Sequence, residues 1–83
     1  PMSHSKDDIL AGLAEIINEE TSLPVETIEL GKSLQDDLDI DSLSMLTIMT
    51  DAEKKFGIRF DDNASSTLST VGDVVDYIAN AQA

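Results

Sequence analysis

The chain has 83 residues, no cysteine, and 17 acidic side chains against 5 basic ones, for a formal net charge of −12. Its length predicts a single domain near the lower size limit for unaided folding, and the missing cysteines exclude disulfides, thiolate metal sites and thiol catalysis. The charge argues against nucleic acid as a partner, because little here could neutralise a run of phosphates, and favours basic protein surfaces whose pull weakens with salt.

No apolar run approaches the roughly 20 residues of a membrane span, and the N-terminus lacks the charged-then-apolar layout of a signal peptide. A cytoplasmic monomer is the expectation. Pro1 ahead of Met2 reads as a cloning remnant, and residues 1–4 as a disordered N-terminus before a domain at 5–80. The only aromatic rings outside histidine are Phe56, Phe60 and Tyr77. The core must therefore be built from Ile, Leu, Val, Ala and Met, of which methionine repacks most easily.

Ser5 starts the first predicted helix, with Asp8 three residues on in a capping-box position. Asp7 and Asp8 also suit the positive end of the helix dipole. Ile9, Leu10, Leu13, Ile16 and Ile17 form one stripe at helical spacing. The helix should end near Thr21, since the residue before Pro24 avoids helical angles. Residues 22–41 form a long connection punctuated by Leu23, Val25, Ile28, Leu30, Leu34 and Leu38, the pattern of a loop packed onto the core. Gly31 marks a turn.

The second helix is predicted from about Ser42 to Phe56. Met45, Ile48, Met49, Ala52 and Phe56 fall within one arc of roughly 100°, its buried face. Gly57 supplies the stop. Ile58-Arg59-Phe60 reads as a short extended segment, and residues 61–69 leave room for one short helical turn. Thr70 caps the last helix, with Asp73 in the capping-box position and Val71, Val74, Val75 and Ile78 as its stripe. The tail from Asn80 is expected to fray. The expected fold is all-α: a small bundle of three main helices and one short helix, with a long loop between the first two.

Chemistry concentrates at Asp36-Asp37-Leu38-Asp39-Ile40-Asp41-Ser42-Leu43, where acids crowd in front of a helix start. In the plain reading, Asp41 or Ser42 caps the second helix. In the sharper one, Ser42 carries a phosphate ester, which the free N–H groups and dipole of a helix start would favour. Leu43 lies opposite the buried arc, beside Thr47, Thr50 and Lys54, and Leu46 lies at the arc's edge. With the acids they resemble a docking patch, apolar at its centre and charged at its rim. The Asp37-x-Asp39-x-Asp41 spacing suggests a calcium loop, but Ser42 replaces the turn glycine and Ile48 stands where the closing glutamate belongs. A hydrolase using Ser42 lacks a base, since His4 is the only histidine and sits in the N-terminal segment.

Asp39-Ile40-Asp41-Ser42-Leu43-Ser44-Met45 resembles the attachment motif of acyl carrier proteins. The likeness extends over Leu34-Gln35-Asp36-Asp37-Leu38, over Ala52-Glu53-Lys54-Lys55-Phe56-Gly57-Ile58, and over Thr70-Val71-Gly72-Asp73-Val74-Val75-Asp76-Tyr77-Ile78. Its sub-pattern from Asp36 to Met45 is most similar to free-standing carriers of actinobacterial fatty-acid and mycolic-acid synthesis. The resemblance implies a non-enzymatic carrier with 4′-phosphopantetheine on Ser42, flanked by Asp41 and Leu43. The cofactor's thiol would hold acyl groups as thioesters and so explain a carrier without cysteine. It further implies as partners a phosphopantetheinyl transferase and acyl-chain synthesis enzymes with basic docking surfaces. Docking would rest on Asp36, Asp37, Asp39 and Asp41 with Leu43, Leu46, Thr47 and Thr50, because this second helix has fewer exposed acids than many such carriers. Between the second and last helices, Ile48, Met49, Ala52, Phe60, Leu68, Val75 and Ile78 are the candidate lining of an acyl pocket. Polyketide, specialised lipid or peptide assembly is the alternative pathway, and an acidic interaction or calcium-binding module the alternative class.

Overall fold

A computed structural model describes residues 4–82. The expected remnant at Pro1-Met2 and the terminal Ala83 lie outside the described residues. Four helices follow one another: α1 (Lys6–Thr21), α2 (Ser42–Phe56), α3 (Ala64–Thr67) and α4 (Val71–Ala81), with a 3₁₀ turn at Val25–Thr27 in the long first loop. No strand forms among the described residues; Ser33 and Thr70 make an isolated antiparallel bridge.

Local chemistry sets the helix ends. The Ser5 hydroxyl accepts the Asp8 N–H at the start of α1, and Ser22, left-handed at φ 67°, closes it by donating its N–H to Asn18 O. Asp41 caps α2, and left-handed Gly57 ends it. Thr70 and Asp73 exchange side-chain and backbone hydrogen bonds in a full capping box at α4. That helix runs through Ala81 rather than fraying at Asn80. Gln82 accepts the His4 N–H at 3.2 Å and donates to His4 O at 2.6 Å. The His4 ring stands edge-on to Phe56, with centroids 5.2 Å apart. His4, assigned from sequence to a loose terminus, is therefore held between α4 and the far end of α2.

The core is one apolar cluster with no buried polar side chain among the described residues. The α2 arc predicted from sequence is its buried face. Along α1, Ile9, Leu13, Ile16 and Ile17 are buried, whereas Leu10 reaches only the margin of the core. Close backbone approaches join α1 to α2 and α1 to α4, so α1 is the spine on which these two helices lie. Gly12 permits the first crossing: a Cβ there would stand 2.8 Å from Lys55 Cε and from the tip of the Phe56 ring. The Phe56 ring is buried and can yield little.

The long loop is anchored by Ile28, Leu34, Leu38 and Ile40, all buried. Val25 and Leu30, also expected as anchors, are instead 44% and 50% exposed. Backbone bonds do part of the work assigned to those side chains. Leu30 O accepts the Gly72 N–H at 2.8 Å, Lys32 O accepts that of Val71 at 3.0 Å, and Leu34 N–H donates to Ser69 O at 2.9 Å. The loop carbonyls thus satisfy two of the free N–H groups at the start of α4. The Asp37 carboxylate closes the next turn by accepting the Ser33 N–H at 2.7 Å. These bonds deliver the chain to the start of α2.

Candidate functional site

At that start the capping role falls to Asp41, whose Oδ1 accepts the Ser44 N–H at 2.7 Å. Ser42 is the first helical residue, its side chain exposed and its hydroxyl not needed as a cap. Just upstream, Asp39 has a left-handed backbone at φ 54°. Aspartate is among the few non-glycine residues that tolerate this conformation.

Hydrogen bonds, first from the Ser44 backbone and then from its side chain, hold the Asp41 carboxyl below the usual carboxylate range. Asp41 is therefore an anion beside Ser42 at neutral pH. Asp73 is lowered in the same way, by the Ser69 backbone first and then the Thr70 backbone. A group whose folded value lies below its unfolded one adds stability above the ordinary carboxylate range and loses it as pH falls through the lowered value. The stability gap between the wild type and Asp73→Asn is therefore expected to hold from pH 7 to about pH 5. It should narrow below about pH 4, as measured by urea unfolding at each pH. A gap that widens in acid would contradict the assignment.

Ser42 opens onto a cleft of about 300 Å³ lined by Gln35, Met45, Leu46, Met49 and Ser66. Ser42, Met45, Leu46 and Met49 stand at i, i+3, i+4 and i+7, so one stripe of α2 runs from the hydroxyl along the cleft. A further cleft of about 220 Å³ shares Leu46 and Met49 and reaches Phe60. A third, of about 280 Å³, shares Gln35 and Ser66 and reaches Leu68. Of the seven residues expected to line an acyl pocket, only Met49, Phe60 and Leu68 border these openings. Ile48, Ala52, Val75 and Ile78 are at most 1% exposed, sealed into the core. The sequence reading missed Met45, Gln35 and Ser66. The i, i+3 spacing from Ser42 could have found Met45, whereas Gln35 and Ser66 arrive from a loop and from α3 with no local signal.

The outer face of α2 is apolar at its centre: Leu43 is 76% exposed and Leu46 63%. The Thr47 and Thr50 hydroxyls donate to Leu43 O and Leu46 O, which satisfies both donors within the helix. The four acids expected to dock are not equivalent. Asp37 and Asp41 are committed to backbone N–H groups. Among the described residues, the carboxylates of Asp36 and Asp39 accept no hydrogen bond. No group of three or more His, Cys, Asp or Glu side chains among the described residues is placed to hold a metal ion.

Residues 11–78 match the family model described as a phosphopantetheine attachment site. An acyl carrier protein of Renibacterium salmoninarum is 62% identical over 79 residues, 95% of this chain and 98% of the relative. The chain belongs to the acyl carrier protein family. A second relative, the acyl carrier protein of Beutenbergia cavernae, is 60% identical over 82 residues, 99% of this chain and all of the relative. Solved structures agree with the carrier's fold. An acyl carrier protein from Anaplasma phagocytophilum gives a TM-score of 0.82 at 26% identity, covering 100% of this chain and 98% of that one. One from Enterococcus faecalis gives 0.78 at 27% identity, covering 94% and 99%. The carrier's prosthetic group is covalent 4′-phosphopantetheine. No helix among the described residues is long and apolar enough to cross a membrane.

Proposed function

We propose that Ser42 carries the 4′-phosphopantetheine arm, and that the carrier is a non-enzymatic shuttle for acyl chains in fatty-acid-type synthesis in the cytoplasm. The observation that carries this reading is an exposed hydroxyl on the first residue of α2, left free because Asp41 does the capping, at the mouth of a cleft lined partly by apolar side chains. When bound, the group supplies a terminal thiol that holds acyl chains as thioesters, the thiol that this cysteine-free chain lacks. In the transfer, Ser42 Oγ would lose its proton as its bond to phosphorus forms and the pyrophosphate linkage of coenzyme A breaks, with adenosine 3′,5′-bisphosphate leaving. The base must come from the transferase. Asp41 is a weakly basic carboxylate already bonded to Ser44, and His4 packs on Phe56, about 21 Å along the axis of α2. Met45, Leu46 and Met49 offer the nearest apolar surface to a tethered chain, and methionine adapts to variable occupants. The test is incubation with coenzyme A and a phosphopantetheinyl transferase. One phosphopantetheine ester per molecule is expected in the intact mass; an unchanged mass overturns the reading.

Partner enzymes are expected to meet Leu43 and Leu46 with an apolar centre and to meet Asp36 and Asp39 with basic side chains. Asp36→Lys together with Asp39→Asn leaves the Asp37 and Asp41 hydrogen bonds in place, and asparagine tolerates the left-handed backbone. This pair should slow loading by roughly tenfold at low salt and by less at high salt, read as transferase kcat/KM. Equal rates at both salt levels would remove these acids from the docking face.

A further inference from the structure

A groove of about 440 Å³ runs along the outer side of α1, walled by the 3₁₀ turn. It shares no lining residue with the clefts around Ser42. Its apolar surface comes from Leu10, Ala11, Ala14, Val25 and Ile28, and its rim from Asp7, Glu15 and Glu26. Val25, 44% exposed, exposed Ala11 and half-buried Leu10 are the apolar side chains that Val25–Thr27 and α1 leave open to solvent here. No basic side chain lines the groove. Lys6, the nearest in sequence, pairs with Asp76 on α4 at 3.0 Å.

We propose that this groove is a second docking surface, which takes a cationic amphipathic helix of a partner protein independently of the face around Ser42. The apolar floor calls for apolar side chains, and three carboxylates around it call for bases beside them. From Asp7 to Glu15 the groove follows α1 for about 12 Å, two helical turns, enough for anchors at i, i+3 or i+4 and i+7. An added strand would need a free sheet edge, and none exists among the described residues. A second copy of this chain is disfavoured by charge, because at −12 it would bring acids to an acidic rim. The proposal holds whether or not Ser42 is the tether, and its test does not use loading.

The probe is a synthetic peptide of about 14 residues, roughly four turns, with leucines on one helical face and lysines on the rest. It is titrated into the full chain labelled with nitrogen-15. Amide shifts at Leu10, Ala11, Ala14, Val25 and Ile28 are expected, weakening as salt is added. Ala11→Arg places a bulky cation in the groove at an exposed helical position where arginine is well tolerated, and should weaken binding at these amides about tenfold. Circular dichroism confirms that the variant folds. Three outcomes overturn the proposal. One is shifts confined to residues 36–50 with no effect of Ala11→Arg. Another is equal binding by a peptide whose leucines are replaced by serine, which would reduce the groove to diffuse attraction by acids. The third is concentration-dependent shifts at the groove without peptide, which would assign it to self-association.

Discussion

Ser42→Ala is expected to take up no prosthetic group, while its unfolding free energy stays within about 0.5 kcal/mol of the wild type. The two halves of this prediction come from the same geometry. The Ser42 side chain is exposed and makes no hydrogen bond in the fold, so its removal leaves no cavity and no orphaned partner. Asp41 keeps the cap on α2, and alanine is a good helix former. Loading, by contrast, needs an oxygen at this position, and no neighbouring hydroxyl stands on the same turn in the same role. Ser44 is half-buried, and its backbone is bound to Asp41. Urea unfolding and intact mass on the same preparation separate the outcomes. A variant that unfolds early would show that Ser42 has a structural part, and one that still gains the arm would place the attachment elsewhere.

Ile78→Ala is expected to destabilise the fold by about 2–5 kcal/mol, a large share of the 5–15 kcal/mol typical of whole domains. Ile78 is 0% exposed near the middle of α4, within the single core cluster. In so small a domain, few other contacts can compensate. The sequence pattern placed Ile78 in the apolar stripe of the last helix, and the carrier resemblance also made it a candidate lining of an acyl pocket. A wall residue facing an open cavity would lose less on truncation, because the cavity already exists. A loss below about 1 kcal/mol in urea unfolding would therefore favour the pocket assignment over the sealed core. The two roles can still meet if α2 and α4 part to admit cargo. In that event acyl chains of increasing length on the wild-type carrier should raise its unfolding free energy progressively, by at most about 0.8 kcal/mol per sheltered methylene.

The helices were legible because several local signals coincide at each of them. In α2, the arc from Met45 to Phe56, the acid before it and Gly57 after it all indicate the same boundaries. The Thr70–Asp73 box marked the start of α4. The course of the long loop was not legible. Its ties to α4 are backbone bonds, Leu30 to Gly72 and Leu34 to Ser69, which carry no side-chain signature. Apolar residue type alone therefore misassigned Val25 and Leu30 as anchors. The site divides along the same line. The Ser42-Met45-Leu46-Met49 stripe is local and readable, whereas Gln35 and Ser66 join it only through the tertiary fold. The even run of acids also hid a division of labour. Asp37 and Asp41 bond to backbone N–H groups, and Asp36 and Asp39 do not.

The most direct measurement locates the modification within the loaded chain. Trypsin cleavage after Lys32 and Lys54 releases residues 33–54, a fragment that holds Ser33, Ser42, Ser44, Thr47 and Thr50. Fragmentation mass spectrometry of this peptide, after treatment of the carrier with coenzyme A and a transferase, should place the whole added mass on Ser42. Added mass on any of the other four hydroxyls, or on a different peptide, would contradict the assignment.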